Sequence, residues 1–243
     1  LLFWHRYLWW FHSALTIGAF IYCALVFSKL QHIVVSPLNV FFRSLGPVGA
    51  PAPIDIEKAE TLGVGDIKDF TWKQLLDLDA CTNCGRCQDA CPAWATGKPL
   101  SPRKVVQDLK VHMLKAANNQ PNQSDNAPTL VGEAPNEAEI WSCTTCAACQ
   151  ETCPVYVEHI VKIIDLRRNL VLTQSKMPET AQLMLRNMQS RGNPWAGVQS
   201  LRLRGDWTNG LELKILAEGG NANTLFWVGC TGALVERNVE ATL

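Results

Sequence analysis

The sequence lacks an excess of charge of either sign. It contains 22 lysine and arginine residues against 22 aspartate and glutamate residues. Proteins that bind nucleic acid usually carry a basic net charge or a strongly basic face, which attracts the phosphate backbone. A chain with balanced charge creates no net field of this kind. We therefore predict no nucleic-acid partner.

Three further features are missing from the sequence. No cleavable secretory signal is evident, so a disulfide framework of the kind that stabilises small secreted domains is not favoured. No initiator methionine opens the chain, which begins at Leu1 among apolar residues and closes at Leu243 soon after a new element has begun. We therefore expect an internal piece of a longer protein. Finally, residues 8–27 contain no Asp, Glu, Lys or Arg.

The uncharged stretch over residues 8–27 has the length of a membrane span. At a rise of about 1.5 Å per residue, 20 helical residues cover roughly 30 Å, the thickness of a bilayer core. Aromatic residues between Trp4 and Trp10 would form a belt at one end of the span. We predict a transmembrane helix that ends at Ser36-Pro37 and leads into a membrane-surface segment as far as Arg43. The alternative is a buried helix of a soluble protein.

Eight of the ten cysteines form an internal repeat. The first motif reads Cys81-Thr-Asn-Cys84-Gly-Arg-Cys87-Gln-Asp-Ala-Cys91-Pro, and the second, 62 residues later, reads Cys143-Thr-Thr-Cys146-Ala-Ala-Cys149-Gln-Glu-Thr-Cys153-Pro. In two-cluster ferredoxins, three closely spaced cysteines bind one cubane and the fourth, before proline, binds the other cluster. We therefore predict two [4Fe–4S] clusters. Their ligands would be Cys81, Cys84, Cys87 and Cys153 for one, and Cys143, Cys146, Cys149 and Cys91 for the other.

The alternative metal for such a motif is zinc. Structural zinc sites usually combine two C-x2-C pairs across a longer spacer, and neither half of the repeat has that form. The residues between the cysteines are small or polar, which would allow backbone N–H groups to approach the cluster sulfurs. The ligand pattern thus favours cubane clusters.

Two histidines near the predicted span are candidate haem ligands. His12 lies inside the uncharged stretch and His32 lies just beyond it. An ionisable residue inside a membrane is often functional, and neutral imidazole is a common axial ligand of haem. On an ideal helix the two residues would be about 30 Å apart, so they would serve different haems. The alternatives are a polar contact with a neighbouring helix for His12 and a hydrated interfacial position for His32.

The sidedness of the chain follows from charge and from redox chemistry. Lys29 and Arg43 follow the predicted span, whereas only Arg6 precedes it, which favours a cytoplasmic C-terminal side. Cysteines that load iron–sulfur clusters also need a reducing compartment. We expect a protein of the cell (inner) membrane with its iron–sulfur domain on the cytoplasmic side.

The rest of the chain alternates helices with turn-rich segments. The predicted elements are a helix over 72–78, a helix from Ser101-Pro102, a surface loop over 118–136, helices over 158–172 and 178–189, a turn over 191–195, a β-strand over 224–229 and a helix from Ala233. We expect the methionines of the helix over 178–189 to fill the core. Trp195 would either dock a partner or pack within its loop.

Three segments resemble parts of a known family. The run from Ser28-Lys-Leu-Gln-His32 into Pro37-Leu-Asn-Val-Phe-Phe-Arg43 resembles the last helix of the cytochrome b subunit of respiratory nitrate reductase. The paired cysteine motifs resemble the HdrC component of heterodisulfide reductase, and Phe226-Trp-Val-Gly-Cys230-Thr-Gly resembles the start of the cysteine-rich CCG domain of the HdrD component. With Arg191-Gly-Asn-Pro-Trp195 between them, the chain is similar to the membrane-bound iron–sulfur oxidoreductases that fuse all three parts. This family includes electron-transfer-flavoprotein:menaquinone oxidoreductases.

The resemblance implies a function and a set of cofactors. It implies electron flow from a soluble donor, such as electron transfer flavoprotein, through two [4Fe–4S] clusters and haem b to a quinone in the lipid membrane. His12 and His32 would be haem b ligands, and Cys230 would be the first ligand of an additional cluster in the CCG domain. The alternatives are a heterodisulfide-reductase-type complex and a non-catalytic anchored relay subunit.

The predicted fold class is mainly α, with a transmembrane helix, an α-helical ferredoxin-like domain that holds two [4Fe–4S] clusters, and the start of an α/β CCG domain. The expected domains are residues 1–43 (cytochrome b-like membrane part), 44–71 (linker), 72–190 (cluster domain), 191–222 (connector) and 223–243 (start of the CCG domain).

Overall fold

The computed structural model describes most of the chain and divides it into two compact units. The described residues are 2–26, 31–48, 50–57, 59, 61–118, 130–132, 135–195, 206–216, 219 and 221–243. One unit comprises Leu1–Lys176 and the other Met177–Leu243. Most of the surface loop predicted over 118–136 lies outside the described residues.

Helices are the only regular secondary structure in the described part of the first unit. Its helices are α1 (Leu2–Val26), α2 (His32–Phe41), α3 (Trp72–Ala80), α4 (Arg86–Asp89), α5 (Pro92–Ala95), α6 (Pro102–Asn118), α7 (Glu137–Trp141), α8 (Ala148–Glu151) and α9 (His159–Leu172). A short 3₁₀ turn at Ile67–Asp69 precedes α3. Residues 46–48 and 50–53 are irregular, as their glycine and proline content predicts.

The uncharged stretch near the N-terminus forms helix α1. Its aromatic side chains are largely exposed, for example Trp4 and Trp10. Phe27 and the side chains of residues 24–26, which belong to the predicted span over 8–27, lie outside the description. Among the described residues, no helix combines the length and the apolar character needed to cross a membrane.

Helix α2 corrects the prediction that Ser36-Pro37 ends a helix. The helix runs from His32 to Phe41 with Pro37 in its interior. Proline removes one backbone hydrogen bond and usually breaks a helix. Here Ser36 and Asn39 are buried against the first unit through side-chain hydrogen bonds, and these tertiary contacts stabilise the helix across the proline.

Helices α3 and α6, on either side of the first cysteine motif, begin where the sequence predicts them. Thr71 and Gln74 form a capping box at the start of α3, and Ser101 Oγ accepts a hydrogen bond from the backbone N–H of Lys104 at 3.2 Å. Such caps satisfy N–H groups that lack a partner in the first turn. Between the helices lies a buried apolar core that includes Leu78, Leu100, Val106, Leu109, Ile140, Ile163, Leu166 and Leu170. This core fixes the frame on which both motifs are mounted.

The second unit contains α10 (Glu179–Arg191), α11 (Cys230–Leu234) and α12 (Glu236–Thr242). Gly192, at a φ of 68°, ends α10 in the left-handed conformation, so the turn predicted over 191–195 is confirmed. The methionines of α10 are exposed, Met184 by 46% and Met188 by 45%. The prediction that they fill the core is therefore wrong for this unit.

The β-strand predicted over 224–229 is also wrong. These residues are irregular, and no strand occurs anywhere in the described part of the chain. A strand needs a neighbour to satisfy its backbone hydrogen bonds, and the described residues offer none. The helix predicted from Ala233 begins earlier, at Cys230. An α/β CCG domain is therefore not seen in the described residues.

Candidate metal centre

The two cysteine motifs fold into loops of the same conformation. Short helices α4 and α8 begin at equivalent positions of the repeat, and the residue before each, Gly85 and Ala147, has a positive φ of 90° and 64°. Asn83 and Thr145, two residues earlier, also have positive φ values, of 56° and 55°. Left-handed backbone is uncommon for residues other than glycine, so its recurrence 62 residues later shows that the sequence repeat is a structural repeat.

The first predicted ligand set lines a single cavity. Cys81, Cys84, Cys87 and Cys153 all contribute to its wall, together with Arg103 and other residues of both motifs. Cys81 and Cys84 come from the loop between α3 and α4, and Cys87 is the second residue of α4. Cys153 comes from the end of the second motif. Four thiols from two distant segments thus surround one space, which is the arrangement that a cubane bound by four cysteines needs.

The second predicted set is brought together in the same crossed manner. Cys143 interacts electrostatically with Cys91 and Cys146, and Cys149 interacts with Cys143, Cys91 and Cys146. Cys91 therefore leaves its own motif for the other, as Cys153 does. The two sets are neighbours, because Cys87 and Cys149 share one buried cluster with Ile160.

Burial makes these thiols poor acids in the absence of a positive partner. Burial, reinforced by neighbouring cysteines, raises the pKa of Cys87 to about 11 and that of Cys149 to about 12. Burial also raises the pKa values of Cys81 and Cys143. Several thiolates in one buried space repel each other, and iron ions at the site would supply the compensating positive charge.

Several N–H groups point at the cysteine sulfurs. The backbone N–H groups of Thr145 and Val157 donate to Cys143 Sγ and Cys153 Sγ, each at 3.3 Å. The side-chain amide of Gln107 donates from Nε2 to Cys81 Sγ at 3.2 Å. Hydrogen bonds to ligand sulfurs are one of the means by which proteins tune the potential of an iron–sulfur cluster. The sequence predicted N–H donors between the cysteines, such as that of Thr145. It did not indicate Val157, which follows the second motif, or Gln107, which is separated from Cys81 by 26 residues.

The eight cysteines form no disulfide bonds, and they do not converge on a point. Within the described residues, no three His, Cys, Asp or Glu side chains meet closely enough to hold a single metal ion. A cubane does not require such convergence, because each thiolate binds a different iron corner. The crossed sets therefore fit [4Fe–4S] clusters.

Arg167 of α9 reaches the second cysteine motif. The guanidinium group donates to the backbone carbonyl oxygens of Ile140 at 2.7 Å and Cys143 at 2.6 Å. It also lies over the ring of Trp141, 5.1 Å from the centroid. Arg167 thus fixes the entrance of the second cysteine loop and brings a positive charge to Cys143.

A buried ion pair lies beside the first set. The Lys162 ammonium and the Asp77 carboxylate form a hydrogen-bonded salt bridge, and their side chains are only 1% and 0% exposed. Burial alone would raise the pKa of Asp77, but the charges of Lys162 and Lys73 lower it overall. Asn39 of α2 donates from Nδ2 to Asp77 Oδ1 at 2.9 Å and to the carbonyl of Val155 at 2.8 Å. The only hint in the sequence was a lysine at position 162 within the apolar run of α9.

His159 closes the wall of the first cavity. Burial, with a contribution from the charge of Lys162, lowers the pKa of His159 to about 4. The imidazole is therefore neutral at physiological pH. It adds no charge to the wall of the site.

The remaining predicted site residues lie apart from the cysteine sets in the chain. His12 is exposed on α1, and His32 is the first residue of α2. The structure thus places the two candidate haem ligands on different helices. Cys230 is the first residue of α11 in the second unit.

Comparison with known proteins supports a domain that holds two [4Fe–4S] clusters. Residues 73–154 match the family model of the 4Fe-4S dicluster domain. The EtfAB:quinone oxidoreductase of Syntrophomonas wolfei is 44% identical over 218 residues, which cover 80% of this chain and 30% of that protein. The probable iron-sulfur-binding oxidoreductase FadF of Bacillus subtilis is 36% identical over 278 aligned positions, which cover 97% of this chain and 39% of FadF. Two heterodisulfide reductase components of Methanosarcina acetivorans match at lower identity.

This chain belongs to the iron–sulfur oxidoreductases related to heterodisulfide reductase. Another relative, the probable membrane-anchored ferredoxin of Chromohalobacter salexigens, is 38% identical over 193 residues, which cover 72% of this chain and 28% of that protein. The chain spans about a third of the length of these family members. The part they share with it includes the dicluster domain, whose helical fold and two clusters were predicted from the cysteine pattern.

Proposed function

We propose that the chain is the electron-relay segment of a membrane-bound oxidoreductase. In this proposal, electrons enter from a soluble flavoprotein donor, pass through two [4Fe–4S] clusters and reach the quinone pool. The observation that carries the proposal is the pair of crossed cysteine sets, which meet at Cys87 and Cys149. Two clusters held at adjacent sites form a path for single electrons. The donor and the acceptor are taken from the name of the Syntrophomonas wolfei relative.

Helix α1 is proposed as the membrane anchor. Its described side chains are apolar or aromatic over most of its length and are exposed around the helix, with Phe20 exposed by 61% and Ile21 by 51%. A helix that is apolar on all sides needs an apolar environment, and the name of the Chromohalobacter salexigens relative includes a membrane anchor. The cluster domain would then lie on the cytoplasmic side, as the basic residues around the helix favour.

Haem b ligation by His12 and His32 is a further part of the proposal. Because the two histidines lie on different helices, each would need a partner ligand from another membrane helix. Haem would connect the clusters to a quinone within the bilayer. Cys230 is proposed as the first ligand of an additional cluster.

The first experiment measures cofactors on the full-length protein purified in detergent. Two cubanes require about eight iron ions and eight acid-labile sulfides per chain, and the pyridine haemochrome assay reports haem b. About eight cluster irons together with haem b would support transfer to a quinone. Eight irons without haem would exclude haem b and favour an anchored ferredoxin-like relay, which the name of the Chromohalobacter salexigens relative also suggests. Fewer than about four irons would contradict the proposal.

A kinetic experiment tests the partners. Reduced electron transfer flavoprotein is mixed with the full-length protein in lipid vesicles that contain menaquinone, and cluster reduction is followed by absorbance. We expect the clusters to be reduced and then reoxidised by the quinone. Clusters that stay oxidised with this donor, but are reduced by a thiol substrate, would favour the heterodisulfide-reductase alternative.

A further inference from the structure

Helix α2 buries its polar side, whereas a surface helix of its sequence would be expected to bury its apolar side. Its buried residues are the polar Ser36 and Asn39, and Asn39 has no exposed surface. Its apolar residues point outward, with Leu38 exposed by 46% and Phe41 by 78%. An ordinary surface helix buries its apolar stripe and exposes its polar face. The outward face of α2 therefore requires an apolar occupant.

The apolar face continues beyond the helix. The ring of Phe42 packs edge-on against Trp72 with centroids 5.3 Å apart, and Trp72 is itself largely exposed. Arg43 lies over the ring of Tyr156, 4.3 Å from its centroid, and Leu45 is exposed by 87%. Exposed apolar side chains flanked by Trp, Tyr and Arg have the composition that proteins use at the boundary between lipid and water.

The covalent chain restricts what can cover this face. Helix α1 ends at Val26 and α2 begins at His32, so a fully extended backbone between them spans about 20 Å. With α1 anchored in a bilayer, α2 must lie close to the bilayer surface. The boundary between the headgroups and the acyl chains of the bilayer is therefore the occupant that fits both the chain length and the composition. This step rests on the membrane anchoring set out under the proposed function.

The polar face of α2 contacts the segments that carry one of the two cysteine sets. Ser36 Oγ donates to the carbonyl of Ala80 at 3.1 Å, and Ala80 immediately precedes Cys81. Asn39 Nδ2 donates to the carbonyl of Val155 at 2.8 Å, two residues after Cys153. The same amide donates to Asp77, at the end of the helix that leads into the first motif.

We propose that the apolar face of α2 rests at the boundary between the headgroups and the acyl chains, and that its polar face fixes the Cys81, Cys84, Cys87 and Cys153 site on the membrane side of the domain. The site of Cys143, Cys146, Cys149 and Cys91 is then the one farther from the membrane. The hydrogen bonds of Ser36 and Asn39 set this order, because they attach α2 to both segments of the first site. The two sites thus have different positions in the relay.

The test uses the full-length protein in lipid vesicles that contain a few per cent of a Ni²⁺-chelating lipid. Paramagnetic Ni²⁺ at the headgroups speeds the spin relaxation of a nearby reduced cluster, which EPR power saturation measures, and Zn²⁺ serves as the diamagnetic control. The signal of each cluster is assigned with C84S and C146S, which change equivalent cysteines of the two motifs. We expect an enhancement at least threefold larger for the cluster whose signal is altered by C84S. Equal enhancement, or the reverse order, would overturn the proposal.

A variant of the apolar face provides a second test. The double substitution L38D and F41D should reduce the Ni²⁺ enhancement by half or more, with unchanged cluster spectra. The matched control is L172D, which alters a similarly exposed leucine on α9 and should leave the enhancement unchanged. An unaffected enhancement in the double variant would mean that protein, not lipid, covers the face, and the proposal would be wrong.

A third measurement does not depend on cysteine variants. A phospholipid with a photoreactive headgroup should label the wild-type protein on peptides that contain Phe41, Leu45 or Trp72. Label found only outside these peptides would overturn the inference.

Vesicle flotation distinguishes failure of the membrane anchor from failure of the role of α2. A protein that does not float with vesicles refutes the membrane anchor itself, whereas one that floats with equal enhancement at both clusters refutes only the role of α2.

Discussion

Single side chains give the two cysteine sets different electrostatic surroundings. Gln107 donates a neutral hydrogen bond to Cys81 Sγ, whereas Arg167 brings a positive charge to Cys143. Both contacts stabilise the reduced cluster, which is the more negative state, and both therefore raise a reduction potential. The two clusters should have distinct potentials even though their loops have the same conformation.

Replacement of Gln107 by leucine should lower the reduction potential of the cluster at the Cys81 site and leave that of the other cluster unchanged. A lost hydrogen bond of about 1 kcal/mol corresponds to a fall on the order of 40 mV for a one-electron couple. The measurement is an EPR-monitored redox titration of the full-length protein. Q189L, at an exposed position of α10, is the control and should shift neither potential. Equal shifts of both clusters would contradict the contact with Cys81.

Removal of Asp77 should be strongly destabilising. D77A leaves the Lys162 ammonium buried without its partner, at a cost of about 3 to 5 kcal/mol. For a domain of this size we expect a fall of about 10 °C in the thermal midpoint, followed through the cluster absorbance. D108A removes a carboxylate from a more exposed pair with Lys104 and should cost about 1 kcal/mol or less.

The double variant D77L and K162M distinguishes two explanations for that loss. If the unpaired charge causes it, the apolar pair should recover most of the stability, because two buried charges are removed together. A double variant as unstable as D77A would show that the network with Asn39 matters more than charge balance.

The stabilisation by Asp77 should depend on pH. Because the pKa of Asp77 is lowered in the folded state, its contribution to the free energy of unfolding is present above the ordinary aspartate pKa and is lost as the pH falls below it.

At the scale of elements, the cysteine loops could be predicted from the sequence and the surrounding contacts could not. The motif spacing predicted both loops and the exchange of Cys91 and Cys153, since cubane chemistry fixes where ligands must lie. Helices α3, α6, α9 and α10 were predicted from periodicity and caps. Local pattern does not report contacts between distant segments, such as Lys162 with Asp77, which are 85 residues apart.

The helix end at Pro37 and the strand over 224–229 were predicted wrongly for the same reason. Proline at position 37 and the β-branched residues near 224–229 are local signals, and each is overridden by what lies around it. Hydrogen bonds to Ala80 and Asp77 hold α2 together, whereas a strand over 224–229 has no partner among the described residues. Tertiary context decides such cases.

The repeat supplies a matched pair of substitutions in the loops. Gly85 has a φ of 90°, so G85A forces a side chain into left-handed backbone and should cost about 1 to 2 kcal/mol. Ala147 already occupies the equivalent position at 64°. A147G makes the reverse change at the equivalent position, so it should raise the stability by a similar amount, because the strain relieved exceeds the cost of the greater freedom of glycine in the unfolded chain. Thermal unfolding of both variants tests this, and shifts of the same sign would show that the loops are not equivalent.

At the scale of the whole molecule, the predicted exchange of the fourth cysteine would tie the two halves of the repeat together. Cys153→Ser should alter the same EPR signal as C84S, and Cys91→Ser the same signal as C146S. Iron should fall from about eight to about four ions per chain, or to a cluster with one iron fewer. The control C23S lies outside both motifs and should leave iron content unchanged. If Cys153→Ser instead altered the signal assigned by C146S, the ligands would not be exchanged.

The exchange of the fourth cysteine also bears on how such a chain can change during evolution. With the predicted ligands, each half of the repeat would depend on the other for one cysteine, so neither copy of the 62-residue unit could be lost without the loss of a ligand from both clusters. Residues 119–129, between the end of α6 and the buried Leu130, contain no cysteine. Insertions and deletions within residues 119–129 would leave all eight predicted ligands and the core residues Leu130 and Val131 in the chain, so the length of the domain can vary most easily there.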